Sequence, residues 1–168
     1  MARIDLSFNA ITDLSDLGIN PLSKDIQEEF RCNLTAKSLR LRHNGLVAVT
    51  PHSLSAMGSL QQLDLSYNHI GVLVEAAFDG LASLQTIDLS FNRLAAIPPK
   101  IFSTTPNLHT LILANNTLGT IDLDVFSHLT QLQTLNMSGN NLDENWIRPG
   151  IFAGLHHLIG MLVYHQRF

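Results

Sequence analysis

The sequence predicts an α/β fold built as a right-handed solenoid, with a parallel β-sheet on the concave face and loops and short 3₁₀ turns on the convex face. Three observations predict it. An asparagine recurs every 24 residues from Asn44 to Asn140, an apolar-x-apolar triplet such as Leu63-Asp64-Leu65 precedes each one, and a large apolar residue follows each one. A unit of this length is too short to bury its own apolar face, so consecutive units must stack as coils.

The apolar pattern of each unit sets the strands. When the first leucine of LQQLDLSYNHI at 60–70 is position 1, the apolar positions are 1, 4, 6 and 11, and the asparagine is position 9. Strand side chains alternate, so positions 4 and 6 face the core and position 5 faces solvent. The triplets predict a single repeat array over residues 1–168 with about seven coils, uncapped ends, and strands near 4–6, 39–41, 63–65, 87–89, 111–113, 135–137 and 161–163.

The phrase LxxLxLxxNxL is the signature of leucine-rich repeats, and the chain is identified as a member of that family. A 24-residue unit with a phenylalanine in its convex half resembles the typical class of these repeats, which occurs mostly outside the cell. In this class the asparagine is structural. Its amide can bond backbone groups of its own and the adjacent coil, which would otherwise be buried and unpaired at about 1 to 3 kcal/mol each. The ladder comprises Asn9, Asn44, Asn68, Asn92, Asn116 and Asn140.

Large apolar side chains predict a spine behind the sheet. They stand ten residues after each asparagine, or twelve in the last case, at Leu54, Phe78, Phe102, Phe126 and Phe152. The segments around them lack helical periodicity, and one of them contains three prolines, at 98, 99 and 106. We therefore expect loops and short 3₁₀ turns on the convex side.

An insertion interrupts the repeat near the amino terminus. Asn9 precedes Asn44 by 35 residues, which is one repeat of 24 plus 11 more. The extra residues predict an inserted loop at about 20–33 that contains the only cysteine, Cys32. A single cysteine in an extracellular type of chain favours a disulfide to a partner outside these residues. An exposed free thiol and a buried reduced cysteine are the alternatives.

A second interruption adds two residues after Asn140, in DENWIRPGIFAGLHHL, where Trp146 is expected to pack on the convex flank. The final phrase, LIGMLVYHQRF, has Gln166 where the ladder asparagine would stand. The order of these interruptions resembles the amino-terminal part of the ectodomain in the long Toll receptors of insects. The residues that match the Toll repeat containing a tryptophan are Asn140, Leu142, Trp146, Ile147, Phe152, Gly154 and Leu155.

This resemblance implies a ligand-recognition segment of a cell-surface receptor that acts in innate immunity or development. The implied location is extracellular, as part of a single-pass membrane protein, and the implied partner is a cystine-knot cytokine of the Spätzle type or another receptor chain. The alternative is a secreted or matrix leucine-rich repeat protein, adhesive or immune, that has no signalling domain.

Two columns of exposed side chains are the candidate ligand-facing surface. Position 5 has Asp5, Arg40, Asp64 and Asp88, and position 8 has Phe8, His43, Tyr67 and Phe91. Acids beside aromatic residues could contact a basic or aromatic protein ligand, because aromatic residues dominate interface hot spots. Both residue types also occur as ordinary filler of such repeats, so the filler interpretation stays open.

Three sequons, which begin at Asn33, Asn115 and Asn136, are candidate N-glycosylation sites. Asn33 lies in the inserted loop and is the best acceptor of the three. A glycan on Asn136 would obstruct the concave face locally.

Composition narrows the function classes. The net charge is -4 without a basic stripe, which gives no indication of a nucleic-acid partner. Apolar runs are far shorter than the roughly 18 residues of a membrane span, so this segment is not expected to contact a bilayer. No nucleophile with a base, paired-carboxylate cleft, cofactor loop or metal-ligand cluster is recognisable, although the chain has eight histidines. We expect a binding protein and no enzyme.

Overall fold

The computed structural model describes residues 2–17 and 35–164. Within these ranges the strands are β1 (Arg3–Asp5), β2 (Ser38–Arg40), β3 (Ala48–Val49), β4 (Gln62–Asp64), β5 (Val72–Leu73), β6 (Thr86–Asp88), β7 (Thr110–Ile112), β8 (Thr134–Asn136) and β9 (Gly160–Leu162). Seven of them form one parallel sheet in the order β1-β2-β4-β6-β7-β8-β9. The predicted solenoid with a parallel concave sheet is confirmed.

Each strand of the main sheet begins one residue earlier than the leucine triplet suggested. The strand in the third unit, for example, is Gln62–Asp64 and not 63–65. The strand begins early because Gln61 O, before the triplet, already accepts from Thr86 N of the next coil at 3.0 Å. It ends early because the carbonyl of Leu65, at position 6, accepts from the side chains of Asn68 and Asn92. The regular ladder therefore ends at position 5.

The number of turns is slightly lower than the seven coils predicted. From β2 at residue 38 to β9 at residue 160, the described chain makes five turns. Residues 18–34, between β1 and β2, are not described, and the described residues end at residue 164, two residues after β9. The inserted loop at 20–33, Cys32, Asn33 and Gln166 therefore lie outside the described residues.

The core lies between the sheet and the convex turns. Strand pairing aligns Leu39, Leu63, Ile87, Leu111 and Leu135, one from each successive coil, and all five are buried. Because each coil contributes one residue to every column, every column joins neighbouring coils in a single apolar cluster. The stability of a coil therefore depends on its neighbours.

The predicted spine is present behind the sheet. Leu54, Phe78, Phe102 and Phe126 have no exposed side-chain surface, and the rings of Phe78 and Phe102 are parallel, with centroids 5.9 Å apart. Phe152 is only half-buried, and its ring meets Trp146 edge to face with centroids 5.8 Å apart. The tryptophan is 5% exposed and covers the place where two extra residues enter the last turn.

Turns dominate the convex side. The described residues there contain 3₁₀ helices at Leu14–Leu17 and Leu123–Val125, and no α-helix. A second parallel sheet, formed by β3 and β5, was not predicted. Its two-residue strands are too short to give a period-two pattern, which is why the sequence did not indicate them. Among the described residues, no helix has the length and apolar character that crossing a bilayer requires.

Candidate functional site

The asparagine ladder supports the concave surface. Asn68 Oδ1 accepts from Leu46 N of the preceding coil at 3.1 Å, and Asn68 Nδ2 donates to Leu41 O of that coil and to Leu65 O of its own coil, both at 3.0 Å. The same bonds recur at the four equivalent buried asparagines, which are Asn44, Asn92, Asn116 and Asn140. These amides are occupied by the scaffold and are not available to a ligand.

Asn9 is the exception in the ladder. Its side chain is exposed and donates only within its own coil, to Leu6 O at 2.8 Å and Ser7 O at 3.2 Å. No described coil precedes it, so it joins nothing across a coil boundary. Asn9 can therefore serve as a control when the buried asparagines of the ladder are substituted.

The position-5 residues align across the sheet as predicted. Strand pairing places Asp5 opposite Arg40, Arg40 opposite Asp64, and Asp64 opposite Asp88. A serine two residues later fixes two of the acids: Asp64 Oδ1 accepts from Ser66 N at 3.0 Å and Ser66 Oγ at 2.6 Å, and Asp88 has the same partners in Ser90. In both acids the second carboxylate oxygen has no hydrogen bond among the described residues. It can accept one from a ligand.

Arg40 makes one weak contact in this column. Its Nη1 lies 3.9 Å from Asp5 Oδ2, and both side chains are almost half exposed. Asp5 Oδ2 is closer to Arg3, at 3.2 Å. Strand pairing also places Arg40 opposite Asp64, but the described residues include no ion pair between these two side chains. An exposed pair of this geometry contributes at most about 1 kcal/mol.

The pKa of Asp5 is held below its ordinary value of 3.8 by the side chain and backbone N–H of Ser7, with a smaller contribution from Arg3. A folded pKa below the unfolded one means that the unfolded state binds more protons. This contribution to stability is therefore present above the unfolded pKa and lost as pH falls through the folded pKa. A carbon-detected NMR titration of the Asp5 carboxyl should show the depression, and replacing Ser7 with alanine should reduce it. An unchanged midpoint in the Ser7→Ala variant would contradict this assignment.

Phe8, His43, Tyr67 and Phe91 form a ring stack at position 8. Successive centroids are 4.6, 4.4 and 4.1 Å apart, and the interplanar angles are 17°, 26° and 15°. The terminal rings are the most open, with Phe8 73% and Phe91 42% exposed. Because the inner rings cover one another's faces, the stack presents mainly ring edges to solvent.

The backbone beneath the ring stack is in the left-handed region. The φ angles of Phe8, His43, Tyr67 and Phe91 lie between 53° and 60°, and the next two coils place Asn115 and Gly139 at this position. Bulky residues are disfavoured there by about 1 to 2 kcal/mol, whereas asparagine and glycine are common. Each aromatic contact returns about 0.5 to 1.5 kcal/mol. Stacking therefore offsets much of the strain and keeps the rings in one line.

Arg42 is a site residue that the sequence reasoning missed. Its guanidinium lies over the Tyr67 ring, 4.5 Å from the centroid, and its buried Nε has no hydrogen-bond partner among the described residues. A buried unpaired donor costs about 1 to 3 kcal/mol. The sequence could have indicated this residue, because position 7 is serine in four of the other coils and arginine only here.

A cleft of about 370 Å³ opens between the first strands of the sheet. We call it the arginine cleft. Its lining combines two guanidinium groups, two carboxylates, one ring and one hydroxyl, contributed by Arg40, Arg42, Asp5, Asp64, Phe8 and Ser7. Most of the predicted ligand-facing residues of the first three coils thus surround one depression, whereas Asp88 and Phe91 lie beyond it.

The sequons on the sheet are partly engaged by the fold. Asn136 Oδ1 accepts from Ser138 N at 3.1 Å and Ser138 Oγ at 2.7 Å, which is the arrangement that the acids have in the preceding coils. Asn115 is half-buried, and Thr117 Oγ1 of its sequon donates to Leu94 O at 3.1 Å. Glycosylation of either residue stays a prediction. Within the described ranges, no three histidine, cysteine or acidic side chains lie together as metal ligands would.

The chain was compared with known proteins. A family model described as "Leucine rich repeat" matches residues 35–94 and 83–142, and a second one matches 131–155. No curated protein sequence matches. TLR13, in the crystal structure of its complex with ssRNA13, is 30% identical with a TM-score of 0.74, over 81% of this chain and 19% of that chain.

A leucine-rich repeat protein of Leptospira interrogans is 25% identical with a TM-score of 0.71, over 95% of this chain and 36% of that chain. The chain therefore spans less than two fifths of either protein. The family model covers more than half of the chain, and both solved structures are similar to it in fold. This chain belongs to the leucine-rich repeat family, and it resembles the ectodomain of a Toll-like receptor.

Proposed function

We propose that this chain is a ligand-recognition segment of a Toll-type receptor ectodomain that works in the extracellular or endosomal space and binds a protein. The observation that carries the proposal is the ring stack lying beside the acidic column of Asp64 and Asp88 on the concave sheet. Together they offer apolar edges and free carboxylate oxygens on a rigid frame. Rigid aromatic surfaces of this kind anchor protein interfaces.

The geometry favours a protein over single-stranded RNA, although RNA is the ligand in the solved TLR13 complex. Proteins that bind single strands stack bases on open aromatic faces and track the phosphates with basic residues. Here the faces of His43 and Tyr67 are covered by neighbouring rings. The carboxylates of Asp64 and Asp88 would repel phosphates along the same path. Arg40 and Arg42 are the features that keep RNA as a second candidate.

The resemblance to insect Toll receptors implies a cystine-knot cytokine of the Spätzle type as the partner, or another receptor chain. Basic side chains on such a ligand would meet the two acids, and apolar side chains would cover the ring edges. A secreted or matrix protein of the same family would use the same surface without passing on a signal. These readings all require binding, and none requires catalysis.

The test is a binding titration of the whole chain with a purified Spätzle-type cytokine and, separately, with single-stranded RNA. We expect cytokine binding that weakens by about tenfold or more in the Phe91→Ala variant, because an interface aromatic residue often contributes more than about 1.4 kcal/mol. The matched control is Ile147→Ala, since Ile147 is 57% exposed and lies outside the ring stack and the acidic column. That variant should bind as the parent does.

Two results would count against the proposal. Equal losses in the Phe91→Ala and Ile147→Ala variants would remove the concave surface from the interaction. Binding to RNA alone, with an affinity that falls steeply as salt rises, would favour the nucleic-acid candidate.

A further inference from the structure

We propose that the arginine cleft receives an acidic side chain of the protein ligand, and that basic side chains of the same ligand segment meet Asp64, which also lines the cleft, and Asp88, which lies beyond it. This inference rests on the proposed function, because it assigns one part of that surface to one chemical group. It divides the concave face into a subsite for an anion and an adjoining subsite for cations.

The first step of the argument is the set of unused donors in the cleft. Arg40 approaches one carboxylate, that of Asp5, at 3.9 Å, which is too long for a hydrogen bond. The guanidinium of Arg42 contacts the Tyr67 ring, and its buried Nε has no hydrogen-bond partner among the described residues. A guanidinium group presents a planar fork of N–H donors that matches a carboxylate. Two such forks therefore lie in one depression without a matching acceptor.

The second step is that, among the described residues, neither acid of the cleft hydrogen-bonds an arginine of the cleft. Asp5 accepts from Ser7 N and Arg3 Nη2, each at 3.2 Å. Asp64 turns one oxygen toward Ser66. The strand pairing that holds Asp5 and Asp64 on either side of Arg40 keeps them at their own register positions. An acceptor for the arginines would thus come from outside the sheet.

The third step concerns the size and charge of the ligand side chain that enters the cleft. A volume of about 370 Å³ is sufficient for one side chain that enters from above the sheet. A polyanion laid along the column would place further negative charge over Asp64 and Asp88, which are the next partners in register. Like charges held this close disfavour that arrangement. A ligand with a single carboxylate followed by cations would complement the order of charges in the sheet, where the arginines of the cleft are followed by Asp64 and Asp88.

The fourth step is the position of Arg42. Its guanidinium is held over the Tyr67 ring, and that ring is held in turn between His43 and Phe91. A side chain that is already ordered loses less conformational freedom on binding than a free surface arginine. The ring stack therefore has two roles. It presents ring edges to a ligand, and it holds the guanidinium of Arg42 in place.

The test uses NMR of the whole chain with the arginine Nε–H signals resolved. The probe is a short capped peptide that carries one glutamate followed by lysines at every second position. The control is the same peptide with glutamine in place of glutamate. We expect the glutamate peptide to shift the Arg42 Nε–H signal saturably, with an affinity about tenfold above that of the glutamine peptide, because hydrogen bonds between charged groups are the stronger ones.

Variants test whether the planar guanidinium donors of Arg42 cause the preference for the glutamate peptide. Arg42→Lys keeps the charge and removes the planar donors, so the preference for glutamate should fall to about twofold or less. Arg93→Lys is the control, because Arg93 is exposed and lies outside the cleft. Equal binding of the two peptides, or an unchanged preference in the Arg42→Lys variant, would overturn the inference.

Inorganic phosphate and single-stranded RNA serve as competitors. We expect neither to displace the glutamate peptide at equal concentration, and displacement by either at that concentration would overturn the inference in favour of a phosphate site. The probes contain no part of the cytokine. A chain that binds the glutamate peptide and ignores the cytokine would therefore contradict only the proposed function, whereas the reverse result would contradict only this assignment of the cleft.

Discussion

Replacing Asn92 with alanine is expected to lower the free energy of unfolding by about 3 to 5 kcal/mol. The buried side chain bonds Leu65 O, Leu89 O and Ile70 N at 3.0, 3.0 and 2.9 Å. Alanine leaves all three backbone groups without these partners at the centre of the array. Chemical denaturation followed by circular dichroism measures the loss.

The control for this prediction is Asn9→Ala. Asn9 is exposed and bonds only its own coil, where water can replace it, so its loss should cost less than about 1 kcal/mol. Equal losses at Asn9 and Asn92 would show that the coil-to-coil bonds contribute little, and the account of the ladder would then fail.

Replacing Phe102 with alanine is expected to destabilise the chain by about 3 to 5 kcal/mol, the usual range for a buried phenylalanine. The ring has no exposed surface and lies parallel to that of Phe78. Two adjoining coils enclose the site, and both are held in register by strands and ladder, so the cavity can close only in part. The measurement is again the free energy of unfolding, together with the thermal midpoint.

Phe8→Ala is the comparison for the spine. The Phe8 ring is 73% exposed and touches one neighbour in the ring stack. Its removal should cost about 1 kcal/mol or less, because little apolar surface is buried there. If Phe8→Ala were as damaging as Phe102→Ala, the stack and not the spine would be the main source of stability.

The spacing of a few residue types was enough to predict most of the fold. Asn44 to Asn140 define the repeat length, and the leucine columns define which face is buried. The ends of the strands were displaced by one residue because hydrogen bonds, and not side-chain pattern, decide where a ladder stops. The sheet of β3 and β5 was missed for a related reason, since a two-residue strand has no period to detect.

The candidate surface was only partly predictable. Period-two alternation gave the columns that contain Asp64 and Tyr67, and stacking of coils placed the members of each column next to one another. The parallel rings, the long Arg40 contact and the cleft depend on side-chain rotamers, which spacing does not encode. Arg42 was missed because it stands at position 7, where arginine replaces the usual serine, outside the two columns at positions 5 and 8.

The direction of the ladder bonds explains where this repeat tolerates a change of length. In five described coils the N–H at position 11 donates to the ladder asparagine of the following coil, as in the bond from Ile70 N to Asn92 Oδ1. An added residue between position 1 and position 9 would move that asparagine out of reach. Both departures from the 24-residue period, of 11 and 2 residues, come after an asparagine and before the next strand. Variation in length is confined in the sequence to the stretch between a ladder asparagine and the next strand, so the paired strands of the concave sheet keep their register.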